Sequence, residues 1–401
     1  MDHTRYTYLI VGGGMAADAA AHGIREVDPD GTIGLISSEP DPPYKRPPLS
    51  KKLWQGKPLD SIWLGTDQLG VELHLGRTGR VLDLQHKRVV DDRGTEYGFD
   101  KLLLATGVTP RRLPVGGHWI NYYRTVKDYQ RLRQEAARGR RFAVIGGGFI
   151  GSEIAAALAM NGKEVVMIFP EAGIGSRLFP ADLTVFLNDY YREHGVELIA
   201  QSTVTEVVMR GSHFRVTSLD KATGTTREIE VDGIVAGIGA QPNVDLALAA
   251  GLAVDNGIVV DPFLRTSHPD VYAAGDVAAY WQSALGQRRR VEHEDNATTM
   301  GRLAGRAMAG EREPYEHLPY FYSDMFDLGY EAVGDIDSRS EVVAEWEEPY
   351  RKGVLTYRRE GRVRGALLWN VWDQLDAARA LIADPDAIHS SQMLTTSAGV
   401  D

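Results

Sequence analysis

Cysteine is absent from this 401-residue chain. That absence excludes dithiol reductase, thiol peroxidase, iron–sulfur carrier, cysteine-ligated zinc and cysteine-nucleophile chemistry together. Long apolar runs are missing too. The most apolar stretch, 142–160, is interrupted by Ser152, Glu153 and four glycines, so no membrane-spanning segment is expected. Tyr6–Val11 runs into glycines without a basic region or a small-residue cleavage site, which predicts no signal peptide and a cytoplasmic location. Positive charge is in deficit: 44 Lys and Arg face 55 Asp and Glu, a net charge of −11. That balance argues against a nucleic-acid or anionic-membrane surface. What the chain has in excess is glycine, 43 residues in short runs, above the usual ~7%. The length predicts two to three domains.

The glycine runs belong to an internal near-repeat. Residues 8–11 read as a buried strand, Gly12-Gly13-Gly14 as a turn and Met15 to about Val27 as an Ala-rich helix. The pattern returns 134 positions later with strand 142–145, turn Gly146-Gly147-Gly148 and a helix closing near Asn161-Gly162. A second short apolar strand follows each helix, at 32–36 and 164–169, which makes two parallel βαβ units. Between them lie a Pro-rich loop (39–48), a short helix from Ser50, several strands to Leu104, and a helix 125–138 capped by Thr125 and Asp128. A meander at 203–209, 213–217 and 227–231 leads to strand 233–238, then to a strand within 266–276 and a helix 296–309. Strands near 342–346, 354–358 and 363–369 and a helix to Ile382 close the chain; the polar tail beyond Pro385 is expected to be loose.

Gly12, Gly14 and Ala17 form G-x-G-x-x-A, and Gly146, Gly148 and Gly151 form G-x-G-x-x-G. The first glycine permits the tight turn and the second lets backbone approach a pyrophosphate. The third allows close helix–strand packing, with the helix N-terminus facing the anion. An acid at the end of the second strand suits ribose hydroxyls: Glu39 follows Gly12 by 27 positions, and Glu171 follows Gly146 by 25. Two such units in register predict two bound dinucleotides.

Three further segments, 102–107, 235–239 and 271–276, are apolar strands ending in small-residue turns, the last closing on Gly275-Asp276. With these, the sequence resembles the pyridine-nucleotide flavoprotein oxidoreductases. Tyr44-Lys45-Arg46-Pro47-Pro48-Leu49-Ser50-Lys51 resembles the flavin loop of ferredoxin-reductase and apoptosis-inducing-factor flavoproteins. Segments 290–297, 321–324 (Phe-Tyr-Ser-Asp), 329–334 (Gly-Tyr-Glu-Ala-Val-Gly) and 368–370 (Leu-Trp-Asn) resemble apoptosis-inducing factor in particular. The resemblance runs from Tyr6 to Ile382. It departs from the mitochondrial protein in three ways: stretch 339–352 is too short for its long insertion, Tyr322 stands where it has tryptophan, and the chain is acidic. DNA binding is therefore not carried over, and a compact bacterial-type homologue is the better description.

The resemblance implies an α/β fold with two Rossmann-like dinucleotide-binding domains and a C-terminal α/β domain. The FAD domain is expected at 1–110 and 241–315, the NAD domain at 111–240 and the C-terminal domain at 316–401. It also implies non-covalent FAD on Gly12, Gly13, Gly14, Met15, Ala16, Ser38, Glu39, Arg46, Lys51, Arg80 and Val81. Ala105, Thr106, Gly107, Arg124, Gly275, Asp276, Glu292, His293 and Tyr322 complete that set. NAD(H) is implied on Gly146, Gly147, Gly148, Phe149, Ile150, Gly151, Glu153, Glu171, Arg177 and Gly239, with Glu292, His293, Tyr322 and Glu331 lining the nicotinamide. Lys51 would support negative charge developing on the flavin, Glu153 would hold Lys51, and Phe149 would cover the nicotinamide. From the residues alone, Lys51 and Glu153 read better as solvated surface charges, and it is the resemblance that reverses this reading. No metal is expected at His293. Glu171 favours NADH over NADPH, whereas Arg177 suits either a pyrophosphate or a 2′-phosphate.

Three functions remain open at this point. One is an NADH oxidoreductase of the apoptosis-inducing-factor type with an unidentified acceptor. Another is a ferredoxin or rubredoxin reductase, for which Arg288-Arg289-Arg290 is a candidate contact. The last is a redox-gated interaction protein with incidental turnover. The expected assembly is a monomer or a redox-dependent homodimer. Without cysteine, electrons must leave from the flavin itself.

Overall fold

The computed structural model describes residues 3–384. The tail expected beyond Pro385 lies outside them. The described residues form two compact units: residues 3–46, 59–109 and 241–320, and residues 47–58, 110–240 and 321–384. Among the described residues no helix is long and apolar enough to cross a membrane.

In the first unit, strand His3–Val11 runs parallel to Ile33–Ser37 on one side and to Glu96–Leu104 on the other. Val71–Leu75 extends the sheet beyond Ile33–Ser37, and Val271–Ala273 pairs with Glu96–Leu104. The strand expected within 266–276 is thus only three residues long, because the chain turns sharply at Gly275. Helices Met15–Val27 and Glu294–Met308 pack almost backbone to backbone. A Cβ on Gly301 would lie 2.3 Å from the Ala16 carbonyl oxygen, and one on Gly305 would lie 2.0 Å from that of Ala20. Small residues four apart on both faces permit that approach.

In the second unit, five parallel strands follow the order Val196–Ile199, Glu164–Ile168, Arg141–Ile145, Gly233–Ala236, Ile120–Tyr122. Helix Phe149–Met160 rises from the second glycine turn. Helix Val126–Arg138 opens with the expected capping box, Thr125 Oγ1 accepting from Asp128 N while Asp128 accepts from Thr125 N. The meander forms as expected, at Ser202–Arg210, His213–Asp220 and Thr226–Val231. The C-terminal sheet has five strands in the order Tyr320–Met325, Leu328–Gly334, Arg362–Trp369, Lys352–Arg359, Glu341–Glu348, with helix Leu375–Ala383 after it. Its first two strands went unread in the sequence, since both 321–324 and 329–334 stood out as motifs rather than as alternating patterns. The helix expected from Ser50 is a single 3-10 turn, Pro47–Ser50, followed by turns to Gly56.

Candidate functional site

The two glycine turns share one geometry. Gly12 has φ 129° and Gly146 has φ 113°, and a Cβ at either would strike the carbonyl oxygen of Ala105 or of Gly237. In contrast, a Cβ on Gly148 would meet nothing within 4 Å, and one on Gly14 only Arg46 Nη2 at 4.0 Å. Each turn is therefore pinned from behind and open in front, with a helix N-terminus beside the opening. Such a cradle fits a pyrophosphate.

Around the first turn, Ser37 packs under Gly13, and Arg46 Nη2 lies 2.5 Å from Glu39 Oε1. Tyr44 donates to Glu39 Oε2 at 2.6 Å, while Arg46 Nη1 donates to Tyr44 Oη at 3.0 Å. Glu39 and Arg46, singled out separately in the sequence, are thus neighbours joined through Tyr44, which sequence reasoning passed over as part of the loop. Ser38, Arg80 and Val81 are exposed; Ala105 is buried, with Thr106 and Gly107 partly so. Gly275 has φ 78° and abuts Ala16, which brings Asp276 to the start of the first helix. Arg290 donates to the Asp276 carbonyl at 3.0 Å and pairs with Glu292 at 2.7 Å. Burial pushes the His293 imidazole down to about 4, with Arg289 adding to the fall and Asp276 and Asp295 opposing it. This histidine is neutral at pH 7.

Lys51, Arg124 and Tyr322, expected at FAD, belong to the second unit. Lys51 and Glu153 are both buried and form an ion pair. Ser50 Oγ donates to Glu153 Oε2 at 2.5 Å, and Ser323 Oγ donates to Oε1 at 2.6 Å. The Lys51 ammonium also stands 5.1 Å from the centroid of the Tyr322 ring. The bland reading of two solvated charges is therefore excluded. The segment carrying Lys51 is tied down at Leu49, whose carbonyl accepts from Tyr123 Oη at 2.6 Å and from Trp54 Nε1 at 2.9 Å. The Arg124 backbone N–H donates to Asp128 at 3.1 Å.

Phe149, inside the second turn, meets Phe321 edge-on at 5.2 Å. Glu171 and Arg177 pair at 2.5 Å, with Arg177 81% exposed. Gly239 accepts from Arg111 N at 2.9 Å. Ile150 is an exposed apolar residue on the opening helix turn. Glu331 is half-buried, its Oε2 without a hydrogen-bond partner. Burial, then the Asp373 charge, raise its carboxyl above the ordinary range against the pull of Arg379. A buried carboxylate oxygen left unpaired fits a ligand-facing position. Ser50 and Ser323 stand inside motifs read from the sequence but were given no role there, and Tyr123 was not singled out; each contacts residues far away in the chain.

Two parallel βαβ units with pinned glycine turns, and a buried Lys–Glu pair beside the second, define a dinucleotide-dependent oxidoreductase. Residues 6–301 match the family model described as pyridine nucleotide-disulphide oxidoreductase, and residues 304–348 match that of the apoptosis-inducing factor C-terminal region. The apoptosis-inducing factor 1 of Dictyostelium discoideum is 35% identical over 95% of this chain and 79% of its own length. The ferredoxin reductase subunit of the 5,5′-dehydrodivanillate O-demethylase of a Sphingobium strain is 36% identical over 94% of this chain and 93% of its own. Among solved structures, the ferredoxin reductase for the CYP199A2 system of Rhodopseudomonas palustris is similar with a TM-score of 0.82 at 30% identity, over 90% of this chain and 91% of its own. The chain belongs to the pyridine nucleotide-disulphide oxidoreductase family. It is a nicotinamide-nucleotide-dependent flavoprotein oxidoreductase with FAD and NAD(H) as cofactors. Having no cysteine, it lacks the disulphide in that family's name.

Proposed function

We propose that this protein is an NADH-dependent reductase that delivers electrons directly from its flavin to an external acceptor. The observation that carries this reading is the buried Lys51–Glu153 pair, because a charged pair with 7% and 5% side-chain exposure costs desolvation and folding alone does not require it. Bound FAD would supply the redox chemistry, accepting hydride from NADH and passing electrons on. The turn at Gly12–Gly14 and Asp276 would hold FAD, with Glu39, joined to Tyr44 and Arg46, at its ribose. The turn at Gly146–Gly148 would hold NADH, with Glu171 at the adenine ribose. Lys51 places its positive charge where hydride transfer develops negative charge, and Glu153 orients the ammonium. Such preorganised charge needs no rearrangement as the reaction proceeds. Phe149 covers the nicotinamide position and excludes water. FAD at 1–110 and 241–315, NAD at 111–240 and a C-terminal domain at 316–401 are the domain roles in this reading, in a cytoplasmic protein.

For the acceptor, the relatives favour a small iron–sulfur protein. The Sphingobium and Rhodopseudomonas proteins, both matched over nearly their whole lengths, are named ferredoxin reductases. Stopped-flow mixing tests the proposal. NADH should reduce the flavin, and re-oxidation should be faster with a ferredoxin than with quinones or oxygen. Flavin that NADH does not reduce overturns the reading; re-oxidation by quinone or oxygen alone overturns the ferredoxin acceptor.

A further inference from the structure

Two sequence motifs, 321–324 and 329–334, run along adjacent strands of the C-terminal sheet and converge on Glu153. Ser323 Oγ donates to Glu153 Oε1, the oxygen that also takes Lys51, while Ser50 Oγ occupies Oε2. A serine hydroxyl has one proton, and here it goes to the carboxylate. Three donors thus converge on Glu153: Lys51, Ser50 and Ser323. On the adjacent strand Tyr330 is buried, its ring stacked on Trp369 at 5.6 Å with a 6° interplanar angle and meeting Phe179 edge-on at 5.4 Å. Burial first, and the Glu153 charge second, hold its phenol well above its ordinary value.

We propose that Ser323 is a positioning residue for hydride transfer: through it the C-terminal sheet sets the orientation of Glu153 and hence of Lys51. This rests on the role given to Lys51 above. A serine present only to fill space would act independently of Glu153. A serine that aims the carboxylate has no effect once the carboxylate is gone.

The experiment uses FAD-loaded protein and reads both the rate of reduction by NADH and the flavin midpoint potential. Ser323→Ala should slow reduction about 3- to 10-fold, within the net range of one ordinary hydrogen bond. It should lower the midpoint potential in the same direction as Lys51→Ala and leave NADH affinity within about twofold. Ser323→Thr, which keeps the hydroxyl, should recover most of the loss. In a Glu153→Ala background, Ser323→Ala should change neither readout. An effect of Ser323→Ala that persists in full without Glu153, or a parent-like rate and potential in the single variant, overturns the proposal. If Ser323→Ala fails to retain FAD, Ser323→Gly with and without Glu153→Ala makes the same decision. A parent-like Lys51→Ala would be a failure of the underlying function, recognisable because it does not involve Ser323, and it overturns the proposal as well.

Discussion

Arg177 Nη2 sits 2.5 Å from Glu171 Oε1, so a cation that could recruit a 2′-phosphate is paired with the acid that would repel it. The arginine is 81% exposed, and a pair that open contributes little stability. Its consequence is for nucleotide choice. NADH should be preferred, and Glu171→Ala should release Arg177 and shift preference toward NADPH by about tenfold. Arg177→Ala should keep the NADH preference. Comparing flavin reduction rates with the two donors checks this, and an NADPH preference in the parent protein would assign control to Arg177.

The purified protein should be yellow, with one non-covalent FAD per chain. Gly12→Ala should lose it, because a Cβ there would lie 2.0 Å from the Ala105 carbonyl oxygen at a φ of 129°. Flavin content after gel filtration is the measurement. A Gly12→Ala protein that keeps full FAD would mean that this turn does not hold the cofactor.

Lys51→Ala should slow hydride transfer and make the flavin harder to reduce. Loss of one charge contact in a partly dry site corresponds to about 1–3 kcal/mol, roughly 5- to 150-fold in rate. It also strands Glu153, so global stability should fall by about 3–5 kcal/mol. Glu153→Ala should have the same sign with a smaller kinetic effect. Stopped-flow rates and redox titration separate the outcomes; a parent-like rate and potential would reduce Lys51 to a structural charge.

Phe149→Ala should behave differently. It should change NADH affinity and the long-wavelength charge-transfer band while FAD content stays constant. Titrating the reduced protein with NAD checks the separation: Lys51 acts on charge, Phe149 on access. Altered FAD content with unaltered NADH affinity would reverse the assignment.

His293 predicts a pH dependence of stability. Its value in the folded protein is lowered to about 4, against an ordinary 6.5. Between those values the unfolded chain binds a proton that the folded protein refuses, so stability rises with pH across the window and the cost of neutral burial is gone above about 6.5. Tm measured from pH 7 down to pH 4.5 should fall more steeply in the parent than in His293→Gln. Equal slopes would show that His293 does not titrate as stated.

Much of this architecture is legible in the chain because it is local. The strand–Gly–helix units at Gly12 and Gly146 and the Thr125–Asp128 cap depend on residues a few positions apart, and the structure has them where pattern and turn chemistry predict. Strand Val271–Ala273 is shorter than expected because Gly275 breaks the run. The first two strands of the C-terminal sheet escaped because their side chains serve particular contacts rather than a plain alternation: Ser323 donates to Glu153, and Tyr330 stacks on Trp369.

By itself, the sequence determined that two dinucleotide turns exist, that no cysteine relay operates and that Lys51 lies in a loop resembling a flavin loop. Whether Lys51 was a surface charge or a buried, paired one was decided only in the folded chain. Lys51 and Ser50 come from one segment, Glu153 from a helix a hundred positions on, and Ser323 from the C-terminal sheet. Each of these polar groups is costly to bury alone, and their mutual satisfaction makes the cluster stable. That condition involves distances in space between residues far apart in the chain, and no spacing along the sequence encodes it.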